Sequence, residues 1–268
     1  MPHAPRPRPA RKRFGQNFLR DAGVIDRIER AVAPAARDHL VEIGPGRGAL
    51  TGALVASGCR LDAIELDRDL TAGLLAAFSV YPGFRLHRAD ALEFDFPALR
   101  AGADAPPLRI VGNLPYNIAT PLLFRLLEQT EVIGDMHFML QREVVERLAA
   151  SPGSGHWGRL GIMAQYQCAV EALFEVPPEA FSPRPKVRSA VVRLTPWATS
   201  PWPRCDRAQL RALLRAAFAQ RRKTLRNNLK GLTTDRVLAD VGIDPGARAE
   251  TLTLTDFIKL ANRLHARH

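Results

Sequence analysis

Between His39 and Thr51 the chain reads HLVEIGPGRGALT: a hydrophobic strand, a turn with glycine at 44, 46 and 48, and a helix opening near Ala49. No other stretch narrows the fold as far. A buried strand that turns through closely spaced glycines into a helix brings backbone N–H groups up against a ligand. A second strand, 61–66, ends in Glu65-Leu66-Asp67, about twenty residues beyond Gly44. In this βαβ spacing a carboxylate at the second strand's end accepts from ribose hydroxyls. The spacing suits a nicotinamide dinucleotide and equally any adenosine-containing cofactor, and Ala49 after G-x-G-x-G leaves the choice open. Glu42, just ahead of the first glycine, leans away from a dinucleotide. A carboxylate there repels a pyrophosphate but tolerates a positive centre such as a sulfonium.

The alternation of strand and helix continues along the chain. Asp21 reads as the N-cap of a helix over 21–33, with Val24, Ile25, Ile28 and Val32 at helical spacing. Further helices are expected over 68–77, 142–149 and 159–167, and strands over 84–87, 110–111, 136–140 and 189–194. A helix is also expected from Thr120 as N-cap with Pro121 at its first position. The glycines of SPGSGHWG, 151–158, predict a flexible loop bordering the site, and prolines argue against any element over 176–186. Such a pattern predicts a doubly wound α/β sheet. A proline-rich linker, TPWATSPWPRCD, follows at 195–206, and only helical periods come after it. The expected organisation is a basic, disordered arm at 1–13, an α/β domain over 14–198 and a helical domain over 199–268.

The run Ile110-Val111-Gly112-Asn113-Leu114-Pro115-Tyr116 ends a strand with an amide, a proline and an aromatic ring. It falls where open α/β sheets bind ligands, beyond the sheet's carboxyl edge. Pro115 biases Leu114 towards extended geometry and so directs its carbonyl. Asn113 and Leu114 offer two acceptors and Tyr116 a flat face, which suits a planar ring bearing an amino group. A plain turn after a buried strand is the alternative. Asp90, at the end of a third strand, is a candidate acceptor for an adenine amino group, or an ordinary turn aspartate.

Charge speaks to the partner. Lys and Arg number 38 against 27 acids, for a net charge of +11, and such a balance favours a polyanion, nucleic acid ahead of a membrane surface. No apolar run is long enough to span a membrane. Cys59, Cys168 and Cys205 are odd in number and widely spaced, which argues against disulfides or a zinc site and fits a reducing, cytoplasmic setting. The cations concentrate after the linker. On a single helix Arg211, Arg215, Arg222 and Arg226 would share one face. Arg221 would fall among the apolar residues, so the helix breaks there or Arg221 has its own partner.

Seven segments together resemble the bacterial small-subunit ribosomal RNA adenine dimethyltransferases (the KsgA/RsmA family). They are FGQNFL at 14–19, EIGPGRGALT at 42–51, ELD at 65–67, AD at 89–90, NLPYNIATPLLF at 113–124, FSPRPKVRSAVVRL at 181–194 and FAQRRKTLRNNL at 218–229. The resemblance implies a Rossmann-like class I S-adenosylmethionine-dependent methyltransferase domain with a small helical C-terminal domain. It also implies N6,N6-dimethylation of two adjacent adenosines near the 3′ end of 16S rRNA, without a metal, by a monomer acting on the immature 30S particle. Carried over by position, Asn17 and Leu19 close over the cofactor and Gly44 lines its methionine side. Glu65 holds the ribose, Asp90 the cofactor adenine, and Asn113 lies between cofactor and target. Asn113, Leu114 and Tyr116 are the candidate catalytic set, and Arg221, Arg222, Lys223 and Arg226 the candidate RNA contacts. Ala119 and Arg188 depart from the family pattern, which often has Ser and Asp there. Three rivals stand beside this reading: a 23S rRNA dimethylase of the antibiotic-resistance type, an assembly factor in which methylation is secondary, and a nicotinamide dehydrogenase.

Overall fold

The computed structural model describes residues 17–100 and 105–265. The basic arm at 1–13 and the first residues of FGQNFL lie outside the described residues. In order the elements are β1 (Phe18–Leu19), α1 (Ala22–Val32), β2 (His39–Ile43), α2 (Ala49–Val55), β3 (Arg60–Ile64), α3 (Arg68–Phe78) and β4 (Phe84–His87). Then come β5 (Leu108–Asn113), α4 (Ala119–Leu127), β6 (Ile133–Gln141), α5 (Arg142–Leu148), α6 (Arg159–Gln167) and β7 (Cys168–Val176). The described chain is completed by β8 (Phe181–Ser182), β9 (Ser189–Pro196), α7 (Arg207–Ala217), α8 (Leu225–Asn228), α9 (Asp235–Asp240) and α10 (Leu254–His265).

One sheet runs β4-β3-β2-β5-β6-β9-β7, and the pairs β3/β4, β2/β3, β2/β5 and β5/β6 are parallel. The expected doubly wound α/β architecture is therefore what forms. Winding reverses between β2 and β5, and ligands bind in the crevice beyond the strand ends at such a reversal. Ile43 registers with Ile64 on one side and Gly112 on the other, so the three strand ends are level. That brings Gly44, Glu65 and Asn113 to one edge. Behind them Leu40, Leu61 and Val111 pack with Val24 and Ile28 of α1 and Leu54 of α2. Each such side chain contributes about 1.5–3 kcal/mol when fully buried.

The described chain divides into two compact units, one running to Arg142 and taking in Leu173–Arg193, the other formed by Glu143–Ala172 and the chain from Leu194 onward. In the second, Leu210, Leu213, Leu214 and Ala217 are the buried stripe of α7, and the Phe218 and Phe257 rings lie 5.8 Å apart.

Asp21 caps α1 as expected, accepting from Val24 N at 2.9 Å. Several other expectations need correction. Thr120 lies inside α4 rather than capping it, because the Pro115 carbonyl already accepts from Ile118 and Ala119 and closes the helix entrance. Pro121 is tolerated in that first turn, where its missing N–H would have no partner. The proline-rich segment 176–186 does hold an element: β8 pairs with β1 (Phe18↔Ser182, Leu19↔Phe181) and needs too few backbone groups for the prolines to prevent it. β7 went unseen since it follows α6 with no turn residue between them and its side chains are mostly half-exposed. The loop 151–158 is anchored: Trp157 is buried with its indole on Leu252 O at 2.8 Å, and Gly153 N donates to Glu250 O at 2.7 Å. The single arginine helix breaks after Ala217. There the Asn228 side chain draws off the Ala217 and Gln220 carbonyls at 2.8 and 3.0 Å.

Candidate active site

The site is built on the end of β5. Gly112 is obligatory there, since a Cβ would stand 2.8 Å from the Ile43 carbonyl oxygen and 2.9 Å from a Leu114 methyl. After it the chain is clamped on both sides. Leu114 N donates to Met139 O at 3.2 Å, and the Pro115 carbonyl holds the start of α4. Asn113 Nδ2 donates to the backbone carbonyl of Asn17 at 3.0 Å. A carbonyl only accepts, so the amide nitrogen must face Asn17, and Oδ1 points away as an acceptor. Among the described residues no backbone N–H outside the helices and strands donates to the Leu114 carbonyl. The Tyr116 hydroxyl shares a 3.1 Å hydrogen bond with Ser189 Oγ, which tethers the far end of the ring and holds its face in position.

These residues open into one cleft with Asn17, Leu19, Gly44, Glu65 and Asp90. All the candidate catalytic and cofactor-binding residues thus line the same cavity. Gly44 N is held by Ile64 O at 2.9 Å. Gly46, at φ +61°, lies so close beneath Phe18 that a Cβ would meet the ring at 3.1 Å. Phe18 in turn carries the Arg47 guanidinium 4.4 Å above its centre. The segment Asn17-Phe18-Leu19 is therefore a strap laid over the glycine turn, secured by β8, by Asn113 and by Arg47. Sequence reasoning passed over Arg47, because nothing in the local pattern announces its stacking on Phe18.

Four carboxylates line the cleft, those of Glu42, Glu65, Asp67 and Asp90. Glu65 is buried, with Oε1 accepting from Asp67 N at 2.8 Å and Oε2 from Gly46 N at 3.1 Å. Burial raises its pKa, with the two N–H bonds working against the rise. Asp90 uses Oδ1 to hold Leu92 N at 2.8 Å, so one oxygen makes a turn and the second is left for a ligand. Burial pushes Glu42 up to about 7, relieved in part by a 2.6 Å hydrogen bond from Thr51 Oγ1 and reinforced by the Glu65 charge. An acid so poised ionises readily once a cation enters the cleft. His137 also lines the cleft. It is buried, has no hydrogen-bond partner at either ring nitrogen among the described residues, and has Asp135 Oδ1 at 3.6 Å. No motif marked it in the sequence. Among the described residues no cluster of His, Cys, Asp or Glu is arranged to hold a metal ion.

In the second unit the candidate RNA contacts divide. Arg221 Nε lies 3.1 Å from Glu250 Oε2, and its guanidinium also donates to the Gly155 carbonyl. Arg226 Nε lies 2.7 Å from Asp235 Oδ2. Arg222 and Lys223 are exposed, and no described carboxylate pairs with either. Elsewhere, Arg188 pairs with Glu175 at 3.3 Å and Ala119 is a buried helix residue.

Comparison with known proteins accords with this geometry. The family described as ribosomal RNA adenine dimethylase matches residues 8–266. A curated relative from Chromohalobacter salexigens, ribosomal RNA small subunit methyltransferase A, is 56% identical over 266 residues, covering 98% of this chain and 94% of its own. Among solved structures, a dimethyladenosine transferase from Plasmodium falciparum superposes with a TM-score of 0.76 at 25% identity, covering 91% of this chain and 95% of that one. The 23S rRNA methyltransferase ErmE superposes at 0.70, also at 25% identity, covering 93% and 100%.

Proposed function

The chain belongs to the ribosomal RNA adenine dimethylase family, and from that membership we propose that this rRNA methyltransferase transfers methyl groups from S-adenosylmethionine to N6 of two adjacent adenosines near the 3′ end of small-subunit rRNA. The observation that carries the chemistry is the Asn113 amide, turned by Asn17 so that Oδ1 is an acceptor beside the Leu114 carbonyl.

The adenine N6 amine is a weak nucleophile because its lone pair is delocalised into the ring. Asn113 Oδ1 and the Leu114 carbonyl accept its two N–H bonds, which favours a pyramidal nitrogen with a localised lone pair. Bound S-adenosylmethionine would supply the methyl group for the new N–C bond, its sulfur leaving as a neutral thioether, and the proton lost from nitrogen would pass to solvent. A second round repeats this on the monomethylated amine, with one N–H left to hold. Catalysis here is positioning and preorganised dipoles. Tyr116 stacks on the extruded base, a contact worth roughly 1–3 kcal/mol.

The residues of the cleft fit the cofactor. S-adenosylmethionine supplies an electrophilic methyl on a sulfonium, and the buried acid Glu42 is eased by a positive charge nearby. Glu65 would take the ribose hydroxyls, Asp90 the adenine amino group, and Asn17, Leu19, Gly44 and Asn113 the methionine end. The helical region 199–268 binds the rRNA through Arg222 and Lys223, in an immature 30S particle, with a monomeric enzyme acting in the cytoplasm. No described helix is long and apolar enough to cross a membrane.

The fold alone also accommodates 23S methylation, given the ErmE superposition. Identity of 56% to a small-subunit enzyme favours the small subunit. Labelled methyl transfer to purified 30S particles and to 23S rRNA, with the modified adenosines mapped by primer extension, tests the assignment. Transfer to 23S rRNA alone would overturn it.

A further inference from the structure

The linker between β9 and α7 carries two of the chain's three tryptophans, Trp197 and Trp202. Despite its prolines it is fastened to α6. Trp197 N donates to Gln167 O at 2.9 Å, and the indole N–H groups of Trp197 and Trp202 converge on one acceptor, the Gln165 carbonyl, at 3.1 and 2.9 Å. Beside them Cys205 N donates to the Tyr166 hydroxyl at 3.0 Å, and that hydroxyl donates back to Cys205 O at 2.9 Å. Both indoles thus have their only polar group satisfied by the protein, and their orientation is set by it. What they offer outward is ring surface. Trp197 is 37% exposed and Trp202 half-buried, whereas the third tryptophan, Trp157, is 3% exposed.

Surface rings fixed in this way suit a flat partner, because little side-chain freedom remains to be lost on binding. The surroundings say which. Arg204 and Arg207 stand close enough to Tyr166 for their charge to act on its hydroxyl. Arg207, Arg211 and Arg215 recur every fourth residue along α7, all exposed, and no acid occurs between Arg207 and Thr234. Aromatic faces beside a line of cations are the combination that holds single-stranded nucleic acid, bases on the rings and phosphates on the arginines.

We propose that Trp197 and Trp202 are a stacking platform for unpaired bases of the rRNA substrate, with the arginines at the start of α7 taking the neighbouring phosphates. This rests on rRNA being the substrate and adds a contact separate from the Arg222–Lys223 turn. Intrinsic fluorescence reads it directly, since only these two tryptophans are accessible. Titrating the full chain with a single-stranded adenine-containing oligoribonucleotide, and with small-subunit rRNA, is expected to quench emission. The double variant Trp197→Ala/Trp202→Ala is expected to lose the quench and to bind rRNA roughly 5- to 150-fold more weakly for each stack lost. Its salt dependence should hardly change, since no phosphate contact is removed, and its cofactor affinity should be unaltered. Trp197→Phe/Trp202→Phe keeps the ring faces and should retain most of the affinity, which separates stacking from misfolding. Intact rRNA binding and methylation with no quenching, or wild-type affinity in the alanine variant, would overturn the platform alone. Absence of any rRNA binding would overturn the platform and the functional reading together.

Discussion

Replacing Asn113 by alanine separates the two duties this side chain performs. One is the 3.0 Å hydrogen bond from Nδ2 to Asn17 O, which fastens the strap. A neutral hydrogen bond contributes about 0.5–1.5 kcal/mol, so its loss should weaken S-adenosylmethionine binding by roughly 2- to 10-fold. The other is Oδ1 as an acceptor for the reacting amine. Removing one preorganised polar group of this kind costs about 100- to 1,000-fold in turnover. The expected result is therefore a large fall in single-turnover methyl transfer to 30S particles with only a small change in cofactor affinity by calorimetry. Asn113→Asp should invert the pattern, since a carboxylate oxygen would face the Asn17 carbonyl and push the strap open. Turnover within about threefold of wild type in Asn113→Ala would refute the acceptor role. A loss explained wholly by cofactor binding would reduce Asn113 to a strap fastener.

Other outcomes follow from the same geometry. Tyr116→Phe loses only the tether to Ser189 and should lower activity modestly, whereas Tyr116→Ala loses the stacking face and should fall about 10-fold or more; equal losses would refute stacking. Arg222→Gln or Lys223→Gln should each reduce the salt dependence of rRNA binding by about one ion, while Arg221→Gln should weaken binding with the slope unchanged, because Arg221 is occupied with Glu250 and Gly155. An equal drop in slope for Arg221→Gln would make it a phosphate contact. Asp62, buried between His39 and His87 at 2.6 Å each and Arg60 at 3.1 Å, has its pKa lowered from 3.8 to about 2 despite burial. A depressed carboxylate pKa stabilises the fold above the unfolded value, and that stability is lost as pH falls from about 4 to about 2. The difference is about 2 kcal/mol, so urea midpoints should drop across that window in the wild type and much less in Asp62→Asn.

How much was legible depends on whether the controlling interaction is local. The β2–α2–β3 pattern and the capping of α1 by Asp21 rest on periodicity and on residues a few positions apart, and these are visible in one dimension. The same holds for Gly44, Glu65, Asp90 and Asn113 as strand-end residues, since parallel strands in register bring their ends to one edge. β7 was not legible, because an edge strand with half-exposed sides has no strict alternation. Nor was β8, whose pairing with β1 joins segments more than 160 residues apart.

Charge and chemistry divide in the same way. Composition alone announces a polyanionic partner, and seven short segments in order point to an rRNA dimethylase. Which arginines face the RNA is a tertiary matter. Arg226 looks identical to Arg222 in the sequence, and although the place of Arg221 among apolar residues hints at a partner, only folding brings Glu250 and Asp235 to Arg221 and Arg226. The direction of the Asn113 amide is likewise absent from the sequence, because it is decided by a carbonyl 96 residues away. Strand ends and glycine turns place the groups, while long-range hydrogen bonds and ion pairs decide which atoms remain available to a ligand.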